Sequence, residues 1–543
     1  MFNSSGTKNK YLKCLFMSIG LSLIVTSISC SRPSDLGDQL NVLDRGLNGA
    51  PDSLDPHKFH STQAAEVLRD IGEGLLRYSA KGELVGGVAS HWDISEGGLR
   101  YTFYLRPEAR WSNGQPVTAN QFVLSIQRLT APSTGSPNSN FVSAITNSES
   151  VIAGIMPPSS LGIVALDDHV LSISLSAPTP QFLYLLEHPS TFPIYATSIE
   201  DKLAYLDGEH QYVTNGAYKF KRQIVGSIIE LRRNEYYWDN QNTKIDNVNY
   251  HIVDEAAEFN RYRAGDLDVT GNVAPSVFPV IRMDFPDELR VSPYLAVYYY
   301  GFNLNKPPFS GNKILRRALS MAIDRPTLVE QVTSRGEDPA YGWVPNGLAN
   351  YTAQRFDYAQ YSKGQRNKEA RRLYRDAGYS RNNPLKFELR YNTSDVHQRI
   401  ALAIQSMWRD VLGADVTLVN EEFKVLLSNI RAGEITQMFR LSWTGDYNDP
   451  QAFLRIMESD NPSNMTRYSN ELVDDLMVSA GKTQDSVTRR QLLEYTERLV
   501  LDDHPVIPIY FYVSKHLVKP TVKGWTENML NIHSSQHLEL VQP

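Results

Sequence analysis

The stretch TQMFRLSWTGDYNDPQAFL, residues 436–454, decides how we interpret this chain. Residues 436–443 alternate as a half-buried strand does, and Arg440 falls on the face opposite the apolar side chains. Gly445 is predicted to end the strand, and Asp446 lies in the turn that follows. The sequence therefore predicts that a guanidinium and a carboxylate are presented near one strand end.

Aromatic residues and a helix start complete this stretch. Trp443 and Tyr447 are predicted to form aromatic walls between the two charges. Asp449-Pro450 is typical of a helix N-cap followed by proline at the first helical position. Because a charge held in a dry cleft needs an opposite charge, a ligand that carries both an ammonium and a carboxylate would pair with both groups.

Length and composition describe an ordinary globular protein. The chain has 543 residues, and the usual domain size suggests roughly two to four domains. Hydrophobic residues make up 41% and charged residues 21% of it, which argues against a disordered chain. The formal net charge of -6, without any basic stretch interleaved with aromatic residues, argues against nucleic-acid binding.

The amino terminus is typical of a targeting segment, and we predict a signal peptide over residues 1–30. Three lysines precede an apolar run, residues 15–25, that is short for a membrane span. Small residues before Cys30 suit a signal peptidase, and a cysteine after the cut resembles the bacterial lipoprotein signal, in which the thiol is lipidated. Ser27 departs from the leucine usual at that position. Lipidation of Cys30 and ordinary secretion at the same bond are the two alternatives.

Cysteine usage has a consequence for stability. Cys14 and Cys30 are the two cysteines of the chain, and both lie in the targeting segment. The remaining chain is therefore predicted to have no disulfide and no cysteine metal ligand. An exported protein without disulfides must be held together by a large core, which this length permits.

The pattern of elements changes along the chain from strands and turns to alternating helices and strands. Ser61 or Thr62 is predicted to cap a helix, and Thr118 another that runs through Arg128. Further helices are predicted over residues 313–323, 367–377, 396–412, 423–431 and 486–501, and strands over 99–105, 170–175, 297–303, 385–391, 415–420 and 506–513. Helices that alternate with strands imply a mostly parallel sheet covered on both faces, and the two regimes imply an α/β protein of at least two lobes.

No complete catalytic motif is found in the sequence. Gly72-Glu73-Gly74 lacks the third glycine of a dinucleotide loop, and neither HExxH nor GxSxG occurs. The Asp-Asp-His triplets at 167–169 and 502–504 are adjacent residues, which rarely converge on one ion. Asp446 and Asp449 could be an acid and base for glycoside cleavage, but the Asp-Pro helix start explains Asp449 without chemistry. We therefore predict no catalytic residue, no metal site and no cofactor.

Long segments of the chain carry a family resemblance. Residues 74–128 read GLLRYSAKGELVGGVASHWDISEGGLRYTFYLRPEARWSNGQPVTANQFVLSIQR, and residues 298–324 read YYYGFNLNKPPFSGNKILRRALSMAID. Together with residues 391–420, 431–454 and 507–520, these segments resemble the extracytoplasmic solute-binding proteins of peptide ABC importers, in particular their oligopeptide-binding branch. The resemblance covers nearly all of the chain after the targeting segment.

The resemblance implies a two-lobed, periplasmic-binding-protein-like fold of three domains with a cleft between the lobes. The implied domains follow by analogy with the family. The first comprises residues 31–72, 196–295 and 514–543, the second comprises residues 73–195, and the third, residues 296–513, forms the opposite lobe.

The resemblance also implies a function. In that family a peptide is enclosed between the lobes in extended form, and its main chain pairs with strand edges while its side chains enter roomy pockets. The chain would then be a monomeric receptor of the periplasm or cell envelope that delivers oligopeptides to a membrane ABC permease, and it would not be an enzyme. The alternatives are a receptor for murein peptides, haem or a metal chelate, a secreted hydrolase, and a surface adhesin or signalling lipoprotein.

Site residues are implied position by position. Asp446 would hold the α-ammonium of the peptide, and Arg440, Arg431 and His397 would meet its terminal carboxylate for peptides of different lengths. The other residues implied to line the cleft are Trp443, Phe423, Tyr447 and Tyr510 and, from the first lobe, Thr62 and His60.

The chain departs from a family member at several of these positions. That member has tryptophan at Phe423, glutamate at His60 and lysine at Thr333, and it has a disulfide where this chain has Ala296 and Thr444. The resemblance therefore supports the ammonium anchor but does not fix the preferred peptide length or side chains.

Overall fold

The computed structural model describes residues 41–195, 212–348 and 350–541. The predicted signal peptide and Cys30 lie outside the described residues, as do residues 31–40 and 196–211 of the implied first domain. Within the described ranges, no helix combines the length and the apolar composition needed to cross a membrane.

Strands form the framework of the described chain. In chain order they are β1 (Val42–Asn48), β2 (Leu76–Tyr78), β3 (Leu84–Gly86), β4 (Ala89–Ser95), β5 (Arg100–Leu105), β6 (Ile163–Asp167), β7 (Val170–Ser174), β8 (Tyr218–Ile224), β9 (Ile228–Arg233), β10 (Asn247–Val253), β11 (Leu289–Phe302), β12 (Asp338–Pro339), β13 (Lys386–Asn392), β14 (Asp415–Glu421), β15 (Met438–Thr444), β16 (Val506–Leu517), β17 (Val522–Lys523) and β18 (Glu539–Leu540).

Helices connect and cover these strands. They are α1 (Thr62–Ile71), α2 (Ala119–Thr130), α3 (Ser148–Ile152), α4 (Phe182–Leu185), α5 (Glu255–Ala264), α6 (Phe278–Asp284), α7 (Lys313–Met321), α8 (Arg325–Thr327), α9 (Lys363–Asp376), α10 (Asp395–Leu412), α11 (Phe423–Ala432), α12 (Gln451–Leu454), α13 (Glu471–Lys482) and α14 (Ser486–Asp503). Two predicted helix starts are confirmed, since Ser61 is the N-cap of α1 and Thr118 that of α2.

Three larger sheets, each with its own hydrophobic core, carry the architecture. Their strand orders are β1-β10-β9-β8, β4-β5-β7-β6 and β12-β16-β11-β15-β13-β14. Buried side chains gather in a separate cluster at each sheet, represented by Tyr250, Phe103 and Tyr299 respectively. The predicted α/β class is confirmed.

The six-stranded sheet is mixed, and the prediction of a mostly parallel sheet is wrong. β13 pairs in parallel with β14 and β15, whereas β11 pairs antiparallel with β15 and β16, and β12 antiparallel with β16. Several helices and β12 lie between β11 and β13, so this connection is not a single strand–helix–strand crossover. Helix–strand alternation therefore does not fix the direction of β11.

The stretch at residues 436–454 forms β15, the loop after it and α12. Met438, Phe439, Arg440 and Leu441 are all buried, so the prediction of a half-buried strand is wrong. Alternation predicts one solvated face, but β15 lies inside the sheet between β11 and β13 and is covered on both faces.

The helix after this loop begins one residue later than predicted. Pro450 is the N-cap of α12 and Gln451 its first residue. Asp449 still caps the helix through its side chain, because its Oδ1 accepts a hydrogen bond from the Gln451 amide at 2.9 Å.

The long strands β11 and β16 pass from one core to another. Residues 289–293 of β11 pair with residues 513–517 of β16, and the register shifts before pairing resumes at Val297 and Phe511. Leu517 packs in a small cluster with Tyr262, whereas the other ends of both strands belong to the core of the six-stranded sheet.

Candidate functional site

Arg440 on β15 is a buried cation with neutral partners. The residue is 5% exposed. Nη1 donates to Asn392 Oδ1 and Nη2 to the hydroxyl of Tyr512, each at 3.0 Å, and the guanidinium lies 4.3 Å from the ring centre of Tyr298. No carboxylate of the described residues forms an ion pair with Arg440. A buried positive charge without an anion is suited to a negatively charged group of a ligand.

Electrostatics keep this guanidinium charged. Burial disfavours the charge, but Tyr298 and Tyr512 more than offset this effect and raise the pKa of Arg440 above its ordinary value. The Nε atom of Arg440 is buried and has no hydrogen-bond partner within the described ranges. The guanidinium of Arg440 is therefore charged, and its Nε–H is a donor that no described residue accepts.

His397 on α10 lies beside the same tyrosine. Its ring centre is 5.5 Å from that of Tyr298, and its Nδ1 is buried without a partner among the residues described. Burial, with the nearby charges of Arg440 and Arg335, lowers the pKa of His397 to about 3. The structure therefore brings His397 and Arg440 together, with the histidine neutral.

Asp446, unlike Arg440, is exposed and makes no hydrogen bond with the described residues. It lies in the loop after β15, in the cleft, and forms no ion pair with them either. The surrounding walls desolvate its carboxylate and raise its pKa, and Arg455 opposes this shift. The carboxylate is thus available to a cation.

Two cavities meet at Asp446. The inner cavity, of about 580 Å³, is lined by Thr62 and Gln63 on one side and by Asp446, Tyr512 and Ser514 on the other. Because Tyr512 holds Arg440, this cavity leads from the free carboxylate toward the buried guanidinium.

The outer chamber, of about 630 Å³, lies on the other side of Asp446. It is lined by residues of the 140–150 segment and by Gln181, and across from them by Tyr447, Arg455 and Glu458.

Three predicted aromatic residues are fixed in the core of the site. The indole of Trp443 donates to the Ala452 carbonyl at 2.7 Å. Tyr447 is buried and stacks on Tyr184 with ring centres 6.1 Å apart. Tyr510 is buried and stacks on Tyr298 at 4.7 Å, so it supports the layer that holds Arg440.

Other predicted residues lie apart from these groups. Phe423 is 46% exposed at the start of α11, and Arg431 is exposed in the last turn of that helix. His60 is exposed, and its backbone N–H donates to Asp52 at 2.6 Å. Among the contacts described, none joins Phe423, Arg431 or His60 to Arg440 or Asp446.

Two tyrosines of the site were not predicted from the sequence. Tyr298 and Tyr512 contact the Arg440 guanidinium directly. A signal for Tyr512 was present, because residues two apart on a strand share a face and Tyr510 had been singled out. Tyr298 was predicted only as part of the strand over residues 297–303.

Asp449 is accounted for without catalysis. Its two carboxylate oxygens accept from Arg489 at 2.7 and 2.9 Å, which ties the loop to α14. A second carboxylate committed in this way gives no support to an acid–base pair with Asp446.

Comparison with known proteins points to one family. The family of bacterial extracellular solute-binding proteins, family 5 Middle, matches residues 83–465. The periplasmic oligopeptide-binding protein OppA of Salmonella typhimurium is 38% identical over 512 residues, which cover 93% of this chain and 94% of that protein.

Solved structures share the fold. The unliganded open form of the periplasmic murein tripeptide binding protein MppA is 35% identical and superposes with a TM-score of 0.86 over 93% of this chain and 98% of that one. The complex of Haemophilus influenzae OppA with RPPGFSPFR is 32% identical and superposes with a TM-score of 0.72 over 93% of this chain and 100% of that one. The two-lobed fold class is confirmed, and the superposition on the open form of MppA has the higher TM-score of the two.

Proposed function

Because the chain belongs to the bacterial extracellular solute-binding proteins of family 5, we propose that it is a receptor that binds oligopeptides in extended form between its lobes and delivers them to an ABC permease. The single observation that carries the proposal is the pair formed by Arg440 and Asp446. One is a buried cation without an anion and the other a free carboxylate, and the inner cavity leads between them. A peptide supplies both missing charges.

The proposed binding mode follows from this geometry. Asp446 holds the α-ammonium, and the main chain runs through the inner cavity, where strand edges supply its hydrogen bonds. The terminal carboxylate is bound by Arg440 with His397. For other peptide lengths it is bound by Arg431.

The remaining roles stay proposals drawn from the family. Trp443, Tyr447, Tyr510 and Phe423 would shape side-chain pockets from one lobe, and Thr62 and His60 from the other. We also propose the domain boundaries that the family implies. Residues 73–195 would form the second domain and residues 296–513 the third. Closure of the lobes around the ligand would bury Asp446 and its partner together.

The cellular setting completes the proposal. The receptor would act in the periplasm or cell envelope as a monomer, held at a membrane where Cys30 is lipidated, and would release its ligand to the permease unchanged. OppA of Salmonella typhimurium, named a periplasmic oligopeptide-binding protein, supports this setting.

A murein peptide receptor is the second candidate. The likeness to MppA, named for a murein tripeptide, favours it. Both candidates use the same ammonium and carboxylate anchors, so ligand preference alone separates them.

Thermal unfolding with a ligand panel tests these functions. Tri- to pentapeptides should raise the melting temperature, since a ligand at 100 times its Kd stabilises the folded state by about 2.7 kcal/mol. A murein tripeptide that stabilises far more than any of these would favour the second candidate. Stabilisation by haem alone would contradict both.

Mass spectrometry after incubation separates a receptor from a hydrolase. We expect the peptides to be recovered intact at their original masses. Cleavage products that increase with protein concentration would contradict the proposal.

A further inference from the structure

Glu337, just before β12, is a buried carboxylate that two cations share. Its side chain is 0% exposed, and its Oε1 atom lies 3.2 Å from Nε of Arg335 and 3.7 Å from Nζ of Lys515 on β16. Its Oε2 atom accepts hydrogen bonds from the Thr333 hydroxyl at 2.9 Å and from the Arg335 backbone amide at 3.2 Å. We call Arg335, Glu337 and Lys515 the cation cluster. No other carboxylate of the described residues forms an ion pair with either of its cations.

Lys515 keeps its charge at neutral pH. Burial lowers the pKa of Lys515 to about 8, the carboxylate of Glu337 opposes this shift, and the charge of Arg335 adds to it. Glu255 on α5 also acts on Lys515, but its effect is the smallest of these. The cation cluster therefore holds two positive charges against one carboxylate. Because buried charges are normally paired, the excess positive charge is suited to an anion supplied from outside the cluster.

The cation cluster adjoins the inner cavity near the groups proposed to bind the terminal carboxylate. The Lys515 ammonium donates to the carbonyl of Val513 at 3.1 Å, and Val513 lines the inner cavity. Arg335 is also one of the two cations that lower the pKa of His397, the other being Arg440. The cluster thus lies on the side of the cavity that receives the carboxyl end of a peptide.

Arg335 has unused hydrogen-bond donors. Its side chain is 17% exposed, and neither of its Nη groups forms a hydrogen bond with the described residues. The Nε atom is buried beside Glu337, whereas both Nη groups keep accessible surface. A guanidinium offers parallel N–H groups that match the two oxygens of a carboxylate. Arg335 can therefore bind a carboxylate without giving up its ion pair with Glu337.

We propose that Arg335 binds a second carboxylate of the peptide, on the side chain of an acidic residue at the carboxyl end, while Arg440 binds the terminal carboxylate. The receptor then prefers peptides whose last residue is glutamate or aspartate. Glu337 orients the guanidinium, and Lys515 keeps the cluster positive. The amino end stays at Asp446, so the register of the peptide is fixed. This inference rests on the proposed function, because it assumes that the terminal carboxylate lies at Arg440.

Calorimetry with matched peptides tests the inference. The first pair is Ala-Ala-Glu and Ala-Ala-Gln, and the same last residues are used in peptides with one and two more alanines. The control pair, Glu-Ala-Ala and Gln-Ala-Ala, places the acid at the other end. We expect the wild-type protein to bind the peptide that ends in glutamate about tenfold more tightly than its glutamine partner at one or more of the three lengths. The control pair should show no such preference.

Three variants assign the preference to the cation cluster. Arg335→Gln should reduce it to less than about twofold and should change the affinity for the glutamine peptide by less than about twofold. Lys515→Met should reduce it by a smaller factor, because Glu337 then neutralises Arg335. Lys368→Gln, a control at an exposed lysine of α9 that lines neither cavity, should keep the full preference. Melting temperatures of the ligand-free variants show which are folded, and if one cluster variant is not, the other decides.

Two sets of outcomes overturn the inference in distinguishable ways. If the wild-type protein binds both peptides of every pair equally well, or if the preference survives in both cluster variants, Arg335 does not bind a second carboxylate and the inference alone is wrong. If the wild-type protein binds none of the peptides, the proposed function is wrong as well.

Discussion

Arg440 and Asp446 are six residues apart and have opposite surroundings. Arg440 is buried within the sheet, where Asn392, Tyr512 and the ring of Tyr298 fix its guanidinium. Asp446 lies in a loop, exposed between two cavities, and makes no hydrogen bond with the described residues.

The side chain of Arg440 is therefore ordered before a ligand binds, whereas Asp446 gains its partner only from the ligand. The guanidinium already has its geometry, so a carboxylate that reaches it does not have to order the side chain. The carboxylate of Asp446 has no hydrogen-bond or ion-pair partner among the described residues and is left for a ligand to pair. Substitution of Asp446 should therefore change ligand affinity alone, whereas substitution of Arg440 should change both affinity and stability.

The largest expected effect is that of Asp446→Ala. Removal of one partner leaves the peptide ammonium buried and unpaired, which costs about 3–5 kcal/mol, or roughly a few hundredfold to several thousandfold in Kd. Calorimetry with a free peptide measures this loss, and the wild-type protein should lose similar affinity for the N-acetylated peptide. Equal affinity of wild type and Asp446→Ala would contradict the ammonium anchor.

Arg440→Gln should have the next largest effect. It removes a charge-assisted contact to the ligand carboxylate, worth about 1.5–3 kcal/mol, or roughly ten- to a hundredfold in Kd. The variant should also melt at a lower temperature, because the bonds to Asn392 and Tyr512 are lost. A carboxyl-amidated peptide serves as the control, since its affinity should hardly change between the two proteins. An equal loss for both peptides would show that Arg440 acts only through the fold.

His397 should couple peptide binding to proton uptake. Its pKa in the free protein is lowered to about 3 by burial and by Arg440 and Arg335, and a ligand carboxylate would raise it. Binding should then take up a fraction of a proton between about pH 3 and 6.5, so affinity should rise as the pH falls through this window, by less than about tenfold per pH unit.

The contribution of His397 to this proton uptake can be isolated with one variant. Protonation of Asp446 at low pH acts in the opposite direction, so the wild type is compared with His397→Gln in two buffers of different ionisation enthalpy at pH 5. The uptake should be smaller in the variant. An identical uptake in both proteins would place the titrating group elsewhere.

The smallest effects are expected from a matched pair of hydroxyl deletions. Tyr512→Phe loses the bond from Arg440 and should lower the free energy of unfolding by about 1–2 kcal/mol. Tyr447→Phe removes a buried hydroxyl that has no partner within the described residues, and should leave the stability of the ligand-free protein unchanged or raise it by up to about 1 kcal/mol. Urea unfolding measures both. A larger loss for Tyr447→Phe would show that its hydroxyl is paired in the free protein.

Local elements of the fold were predictable from the sequence. Alternation located β15, and side chains that cap backbone amides located the starts of α1 and α2. These signals act over a few residues, so a single window of sequence contains them. The direction of β11 was not predictable, because it depends on how distant segments pair.

The surroundings of Arg440 show the same limit within the site. Its partners Asn392 and Tyr512 are 48 and 72 positions away in the chain. Alternation correctly separated Arg440 from the apolar face of β15, but it could not show that these residues and Tyr298 cover the other face. Only the side of the outer chamber that holds Asp446 and Tyr447 was predictable, because the opposite wall includes the 140–150 segment, which has no periodic pattern.

One departure from the family has a simple geometric counterpart. Ala296 on β11 is paired directly opposite Thr444 on β15. The positions at which a family member has a disulfide are therefore neighbours across the two strands here, joined through the pairing of β11 with β15.

We expect the irregular pairing of β11 with β16 to affect the affinity of the receptor for its peptide. Three residues of β11, from Tyr294 to Ala296, stand opposite Tyr512 between the two regular ladders, and Leu295 forms its backbone hydrogen bonds with Met529 and Gly445 instead. A bend at this point would break few hydrogen bonds between the two strands, so we expect it to cost little free energy if the lobes close here. A closure that costs little would leave more of the free energy of peptide contacts as affinity. Tyr512 lies at this point and also accepts a hydrogen bond from Arg440, so a movement here would shift the residue that we propose binds the peptide carboxylate.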